Sequence, residues 1–268
     1  MSISDINIPF GITQNASEHG GLVDHMLGFV HWFMLVLFIG WSAFLVYVFW
    51  KYRASNNAAA DYHGVRGHAT THIEIGVVIV EAILLLGFAF PLWSHQADEY
   101  PTSADTIKMR ALGEKFLWNF QYPGNDLMLS TWKLAGVTPS NVTGRELNDP
   151  NGKDDFVNPG TMKLPVGRPV IVDVASKDVI HNLALTPMRS AQDACPGVKA
   201  HMWFKPVKTG TWDIICGQLC GPGHAQMKAV LEVVTPKEFE DWSKEMSAGA
   251  KAKNDTAAAA PAAAPAAH

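Results

Sequence analysis

The first fifty of the 268 residues contain no lysine and no arginine. The formal net charge of the whole chain is only −4, and no polybasic surface argues for nucleic acid as a partner. Cysteine is scarce: Cys195, Cys216 and Cys220 are the only three. A secreted scaffold held by disulfides wants more, in an even number. An odd set with two members close together points to metal or redox chemistry instead. No Cys-x-x-Cys-His occurs, so the chain carries no covalently attached c-type haem. A phosphate-binding glycine motif and internal repeats are also missing, which removes the nucleotide-binding and solenoid classes.

Long apolar runs are present, and both lie in the first hundred residues. Residues 26–50 hold no charged side chain, with His31 and Ser42 the only clearly polar members. At roughly 1.5 Å per residue a helix of this length crosses a hydrocarbon core of about 30 Å. A second stretch, 75–93, is broken only by Glu81 and is close to the lower limit for spanning. Trp32, Tyr47, Trp50 and Trp93 sit where aromatic belts form. The sequence thus predicts transmembrane helices over 26–50 and 73–95, joined by a loop, 51–72. That loop holds Lys51, Arg53 and Arg66, so the positive-inside rule places it in the cytoplasm. The segment 1–25 and everything after 95 then lie outside. In a bacterium this means a multi-pass protein of the inner membrane with a periplasmic domain. The N-terminus lacks the basic region of a cleavable signal peptide.

From Thr106 onward short β-type runs alternate with turn residues: 107–112, 116–122, 169–175, 179–185, 202–205, 211–215 and 227–234. Runs rich in Val, Ile, Phe and Trp and bounded by Gly, Pro, Asp or Asn predict an antiparallel sandwich or barrel over 96–246. Residues 136–162, rich in Gly, Pro, Asn and Asp, read as a long surface loop. Thr235-Pro236-Lys237-Glu238 has the form of a capping box with proline at the first helical position, so a short helix starts there. From Ser247 to residue 268 the chain turns to Ala, Lys and Pro, with little to bury, and reads as a disordered tail.

The segment 216–227 packs two thiols, an imidazole and a thioether into twelve residues: Cys216, Cys220, His224 and Met227, spaced Cys-x3-Cys-x3-His-x2-Met. Glycines and a proline make it a loop that can wrap a metal. Soft sulfur donors with imidazole select copper, and the thioether argues against structural zinc. His181 offers a second imidazole at a strand edge. A mononuclear blue-copper site needs one Cys, two His and a weak axial Met, so the second thiolate is surplus for one copper. If both thiolates bridge, two metals can each be four-coordinate, with a backbone carbonyl of the loop as the sixth donor. No position is left open for a substrate, which suits electron transfer rather than bond chemistry. Cys195 stands apart and reads as a small buried hydrophobe.

At these residues the sequence resembles cytochrome c oxidase subunit II. Ser176-Lys177-Asp178-Val179-Ile180-His181, followed by Asp193-Ala194-Cys195-Pro196-Gly197, is similar to that family's S-x-D-V-x-H … D-A-x-P-G. The loop 216–227 is similar to its C-S-E-x-C-G-x-x-H-x-x-M. The resemblance implies a two-helix transmembrane hairpin carrying an all-β, cupredoxin-like Greek-key domain. It also implies two copper ions in a dinuclear centre (CuA) held by His181, Cys216, Cys220, His224, Met227 and the backbone carbonyl of Gln218. The family's glutamate, which helps hold a magnesium at the junction with subunit I, is replaced here by Gln218. The stretch 113–123 is similar to the family's aromatic segment. Phe116 stands at the Trp position that receives electrons from cytochrome c, and Trp118 keeps the second Trp. Glu74-Ile75 matches the motif of an acid that feeds a proton channel, and Glu81, seven residues on, shares its helix face.

The function implied is electron uptake from cytochrome c or another c-type haem donor, and delivery to the haems of subunit I. Oxygen reduction coupled to proton pumping follows in that complex, with further oxidase subunits and lipid as partners. A copper subunit of a nitric oxide reductase is the near alternative. A membrane-tethered copper chaperone is the distant one, disfavoured by His224, Met227, the β-rich pattern and the two spans.

Overall fold

The computed structural model describes residues 14–259 apart from 58, 60, 61, 64–66 and 147, with side chains as far as Ala252. Arg66, most of the N-terminal segment and residues 260–268 of the tail lie outside the described residues. The chain forms two compact units, one of residues 21–99 and the other of the remainder.

In the first unit, α1 spans Gly20–Lys51 and α2 Ala69–Leu84, continuing through a π-helical turn, Leu85–Ala89, into α3, Phe90–Asp98. The π turn has a cause in the sequence. Pro91 has no N–H to donate to Gly87 and its ring would press on that carbonyl, so the turn ahead of it widens. Both helices overrun the expected spans. Polar residues such as Thr70, Thr71, Ser94 and His95 continue the helix at its ends. Apolarity marks only the part that meets hydrocarbon. The second helical run, Ala69–Asp98, has 30 residues and so clears the spanning limit easily. The large apolar side chains of both helices are exposed on the isolated chain, as lipid-facing or partner-facing surfaces require.

The second unit is a sandwich of two five-stranded sheets. One sheet runs β3 (Phe156–Pro159), β2 (Leu117–Tyr122), β1 (Ile107–Glu114), β5 (Val170–Ser176), β8 (Ala200–Phe204). The other runs β4 (Thr161–Pro165), β10 (Lys228–Val234), β9 (Gly210–Cys216), β6 (His181–Leu185), β7 (Ser190–Ala194). Met109, Trp118, Phe120, Val172, Leu183 and Leu231 are among the core side chains between them. Burying such side chains stabilises the fold by roughly 1.5–3 kcal/mol each before entropy is counted.

Three strands, β3, β4 and β7, were not foreseen, and all three are sheet edges. Edge strands need few β-branched residues and tolerate proline, so Phe156-Val157-Asn158-Pro159 and Ser190-Ala191-Gln192-Asp193-Ala194 carry little strand signal. The expected surface loop 136–162 therefore needs correcting. It contains β3 and enters β4, and Thr143, Asp155, Phe156 and Met162 are buried. Ser130, Trp132 and Asp155 cover the outer face of β1 and β2, which is why outward-pointing Arg110 and Gln121 are buried. Arg110 donates to Gln121 Oε1 (2.8 Å) and to the carbonyl of Ser130 (3.2 Å), and its guanidinium lies over the Trp132 ring.

Residues 15–19 also pack on the sandwich. Ala16 is buried, Ser17 bridges to Pro206, and the Ala16 N–H donates to Pro187 O. At the C-terminal side Thr235 Oγ1 accepts from the Glu238 N–H (3.3 Å), the capping bond expected. The helix it opens, α4, is not short: it runs Pro236–Ala259. The tail assigned to disorder from Ser247 is helical through Ala259, because alanine and lysine propagate a helix once a packed first turn has nucleated it. Phe239 and Trp242 supply that packing against Tyr122.

Candidate metal centre

β6 and β9 are neighbours, with Leu183 opposite Cys216. Side chains alternate along a strand, so His181 and Leu183 share the inner face with Cys216. His181 is fully buried and Cys216 nearly so. The loop then closes on itself. Cys216 N–H donates to Met227 O (3.3 Å), and a 3₁₀ turn over His224–Gln226 brings His224 and Met227 back under the thiols. Gly221, at φ +139, takes a backbone conformation that a side chain would strain.

All six expected donors converge. Cys216 Sγ lies 3.9 Å from Cys220 Sγ, 3.9 Å from His181 Nδ1 and 3.1 Å from Gln218 O. Cys220 Sγ lies 3.6 Å from His224 Nδ1 and 3.7 Å from Met227 Sδ. The two thiols are thus central, each with its own imidazole, with the carbonyl near Cys216 and the thioether near Cys220. Neither thiol is in a disulfide. Burial, and then the neighbouring Cys216, push the Cys220 thiol above its ordinary value. A proton therefore holds the Cys220 sulfur until a metal displaces it. His181, Cys216 and Cys220 form the one group among the described residues where three such ligand atoms meet closely enough for a metal. Two thiols, two imidazoles and a thioether fit copper in chemistry as well as in number. Magnesium fits less well: Gln218 brings a neutral, exposed carboxamide where a hard cation wants carboxylate.

The remaining sequence-derived residues divide. Trp118 is buried behind His181, edge-on to the imidazole with ring centroids 5.9 Å apart. Phe116 is on the outside, its ring lying over the backbone of Gly221 and Gly223. A Cβ on Gly223 would fall 2.4 Å from Phe116 Cδ2. Glu81 lines a crevice of about 350 Å³ between α1 and α2, with Met26, Val30, Phe33 and Leu37. Glu74 is exposed and does not line that crevice. Cys195 is partly exposed rather than a buried hydrophobe, because it follows the edge strand β7.

Asp178, which the sequence shows only as a motif residue three positions before His181, also reaches the site. Its Oδ1 is 2.9 Å from His181 Nε2. Burial pushes its carboxyl up, but hydrogen bonds from His181 and from the Lys115 and Val179 N–H groups outweigh this and hold it below its ordinary value.

A cupredoxin-like sandwich whose β9–β10 loop gathers soft donors, on a chain with two membrane-length helices, defines a membrane-anchored protein with a candidate metal loop. Residues 107–234 match the model of the cytochrome c oxidase subunit II periplasmic domain. The alternative cytochrome c oxidase subunit 2 of Bradyrhizobium diazoefficiens is 30% identical over 83% of this chain and 79% of its own length. The cytochrome c oxidase subunit 2 of Cereibacter sphaeroides is 25% identical over 82% of this chain and 77% of its own. The crystal structure of the periplasmic domain of subunit II of cytochrome oxidase of Bradyrhizobium japonicum shares 25% identity, covering 56% of this chain and 99% of that one, at a TM-score of 0.43. The chain belongs to the cytochrome c oxidase subunit II family and so forms part of a haem-copper oxidase complex.

Proposed function

We propose that this chain receives electrons from a c-type haem donor at a dinuclear copper centre and hands them to the haem of subunit I. Oxygen is then reduced to water with proton pumping in the complex. The observation that carries this reading is the paired arrangement of donors: two thiols 3.9 Å apart, each within 3.9 Å of a different imidazole. His181, Cys216, Gln218 through its carbonyl, Cys220, His224 and Met227 would hold two coppers. When bound, the pair supplies one-electron exchange with little rearrangement of its ligands. The residues of the chain exclude water from it. His181, Cys216, Cys220 and Met227 are buried, and Phe116 covers the loop's outer glycines.

Phe116 is the outer and Trp118 the inner aromatic of the route by which electrons would arrive. Glu74 and Glu81 are candidates for proton uptake, Glu81 through the polar lining it gives the crevice between α1 and α2. With Lys51 and Arg53 following α1, the helix ends joined by residues 52–68 belong in the cytoplasm. The sandwich then belongs on the periplasmic side of a bacterial inner membrane.

The test is metal content with electron paramagnetic resonance on the copper-loaded full chain in detergent. Two coppers per chain sharing one unpaired electron are expected. One copper with its spin on a single nucleus would overturn the dinuclear reading and favour a copper-carrying chaperone.

A further inference from the structure

The turn between β5 and β6 is built around one carboxylate. Ser176 Oγ donates to Val179 O and accepts from the Asp178 N–H (3.2 Å), which folds the chain back just before His181. Asp178 Oδ1 then accepts from the Val179 N–H (2.7 Å) and meets His181 Nε2 at 2.9 Å. Its Oδ2 accepts from the Lys115 N–H (2.9 Å), in the turn that carries Phe116. The imidazole is confined on its other sides too. Trp118 meets it edge-on, and a Cβ on Gly113 would stand 3.1 Å from His181 Cδ2.

Resting on the dinuclear-copper reading above, we propose that Asp178 is a positioning residue for the metal centre. By accepting from His181 Nε2 it keeps the proton on that nitrogen and leaves Nδ1 bare, facing Cys216. A carboxylate on the far nitrogen of a ligating imidazole fixes the tautomer and the ring plane and makes the ligand a stronger donor. The same carboxylate ties the Phe116 turn to the ligand, so the outer aromatic and the inner imidazole share one anchor. The Lys177 Nζ–Glu114 Oε2 pair (2.5 Å) fastens the same two turns a second time, without touching the histidine. That makes Glu114 the natural control.

The experiment compares Asp178→Asn, Asp178→Ala and Glu114→Gln with the parent, each as the full chain assembled in its oxidase. Copper affinity against a chelator, the midpoint potential of the copper centre and the histidine nitrogen hyperfine coupling are measured. Asp178→Ala should weaken copper retention roughly 10–100-fold. Asp178→Asn keeps the shape and an acceptor oxygen but not the charge, so copper should stay while the potential rises, because a negative charge near the metal favours its oxidised form. Glu114→Gln should leave all three readouts at parental values. If Asp178→Ala does not assemble, Asp178→Asn decides alone. A parental potential and hyperfine coupling in Asp178→Asn would overturn the proposal and reduce Asp178 to a turn cap. The shift is read at whatever copper the parent holds. A single-copper parent would therefore overturn the dinuclear reading while the Asp178 comparison still gives its own answer.

Discussion

The segment between β9 and β10 and the segment between β2 and β3 both contain glycines and proline, yet they finish in different states. In the longer one much of the buried polar surface pairs within the fold, although Asp155 Oδ1 and Thr143 Oγ1 have no hydrogen-bond partner among the described residues. Asp155 Oδ2 accepts from Gln121 Nε2 (2.6 Å), from the Ser130 N–H (3.0 Å) and from Ser130 Oγ (2.6 Å). Burial draws the neighbouring Arg110 guanidinium down to about 10, with Asp173 and Asp155 opposing the fall, so it is still charged at neutral pH. In the shorter loop the sulfur and imidazole groups lie 3.6–3.9 Å from one another, weak partners at best. One loop is largely closed on its own hydrogen bonds. The other is a set of soft donors with only weak partners in the chain, as the proposed copper site requires.

The sharpest way to break this contrast is to remove one donor from each loop. Cys220→Ser changes one atom in a buried thiol. It should leave unfolding of the metal-free chain nearly unchanged, while copper affinity falls by more than the roughly 100-fold that outer partners of a ligand account for. Chelator competition and calorimetry on the same samples test both halves. A variant that kept two coppers would remove the assignment of Cys220 as a bridge.

A second test concerns how tightly the open loop is held from outside. Gly223 has φ −90, a value alanine accepts, so Gly223→Ala meets no backbone obstacle. Its cost should come only from the Phe116 ring 2.4 Å from the new Cβ, about 1–3 kcal/mol of overpacking. Adding Phe116→Ala should recover much of that, giving a coupling energy above about 0.5 kcal/mol in a double-mutant cycle. Purely additive losses would mean that the ring does not sit on the loop.

In the closed loop, Asp155→Ala leaves Gln121 and Ser130 without their shared acceptor. The expected loss is about 1–3 kcal/mol of stability, read by denaturant unfolding, with the copper spectrum intact. A spectral change would show that the two loops are not separate devices.

The two loops were also unequally legible. The loop 216–227 announces itself as a candidate metal site because its donors are chemically rare and closely spaced, and one motif holds four of them. His181 needed the family resemblance, since a lone histidine thirty-five residues upstream has no local signature; only the pairing of β6 with β9 brings it in. The apolar blocks of α1 and α2 were plain, but their ends were not, because polar residues extend a helix without any signal of hydrophobicity. The closed loop was misread as surface. Arg110, Gln121 and Asp155 are residues normally found in water, and nothing local shows that their partners are one another. The edge strands β3, β4 and β7 were hidden for a related reason: they are fixed by the neighbour they pair with rather than by their own side chains.

The smallest effect expected is on pH dependence, and it separates two carboxylates of the closed loop. Burial raises the Asp155 carboxyl above its ordinary value, with the Ser130 and Gln121 bonds offsetting part of the rise. Asp149 is exposed and moves the other way, lowered first by the Thr131 N–H, then by the Thr131 hydroxyl and the Asn151 N–H. The folded state therefore holds the Asp155 proton more tightly than the unfolded chain does. Its favourable contribution is complete below the unfolded value of about 3.9 and is lost as pH rises from there through the folded value. For Asp149 the contribution is present above about 3.9 and is lost as pH falls through its depressed folded value. Urea unfolding from pH 7 down to pH 3 should thus show the parent gaining on Asp155→Asn as the solution is acidified, while its advantage over Asp149→Asn shrinks at the acid end. Parallel curves for the parent and Asp155→Asn would mean that water reaches Asp155, and that the second loop is less closed than its hydrogen bonds make it.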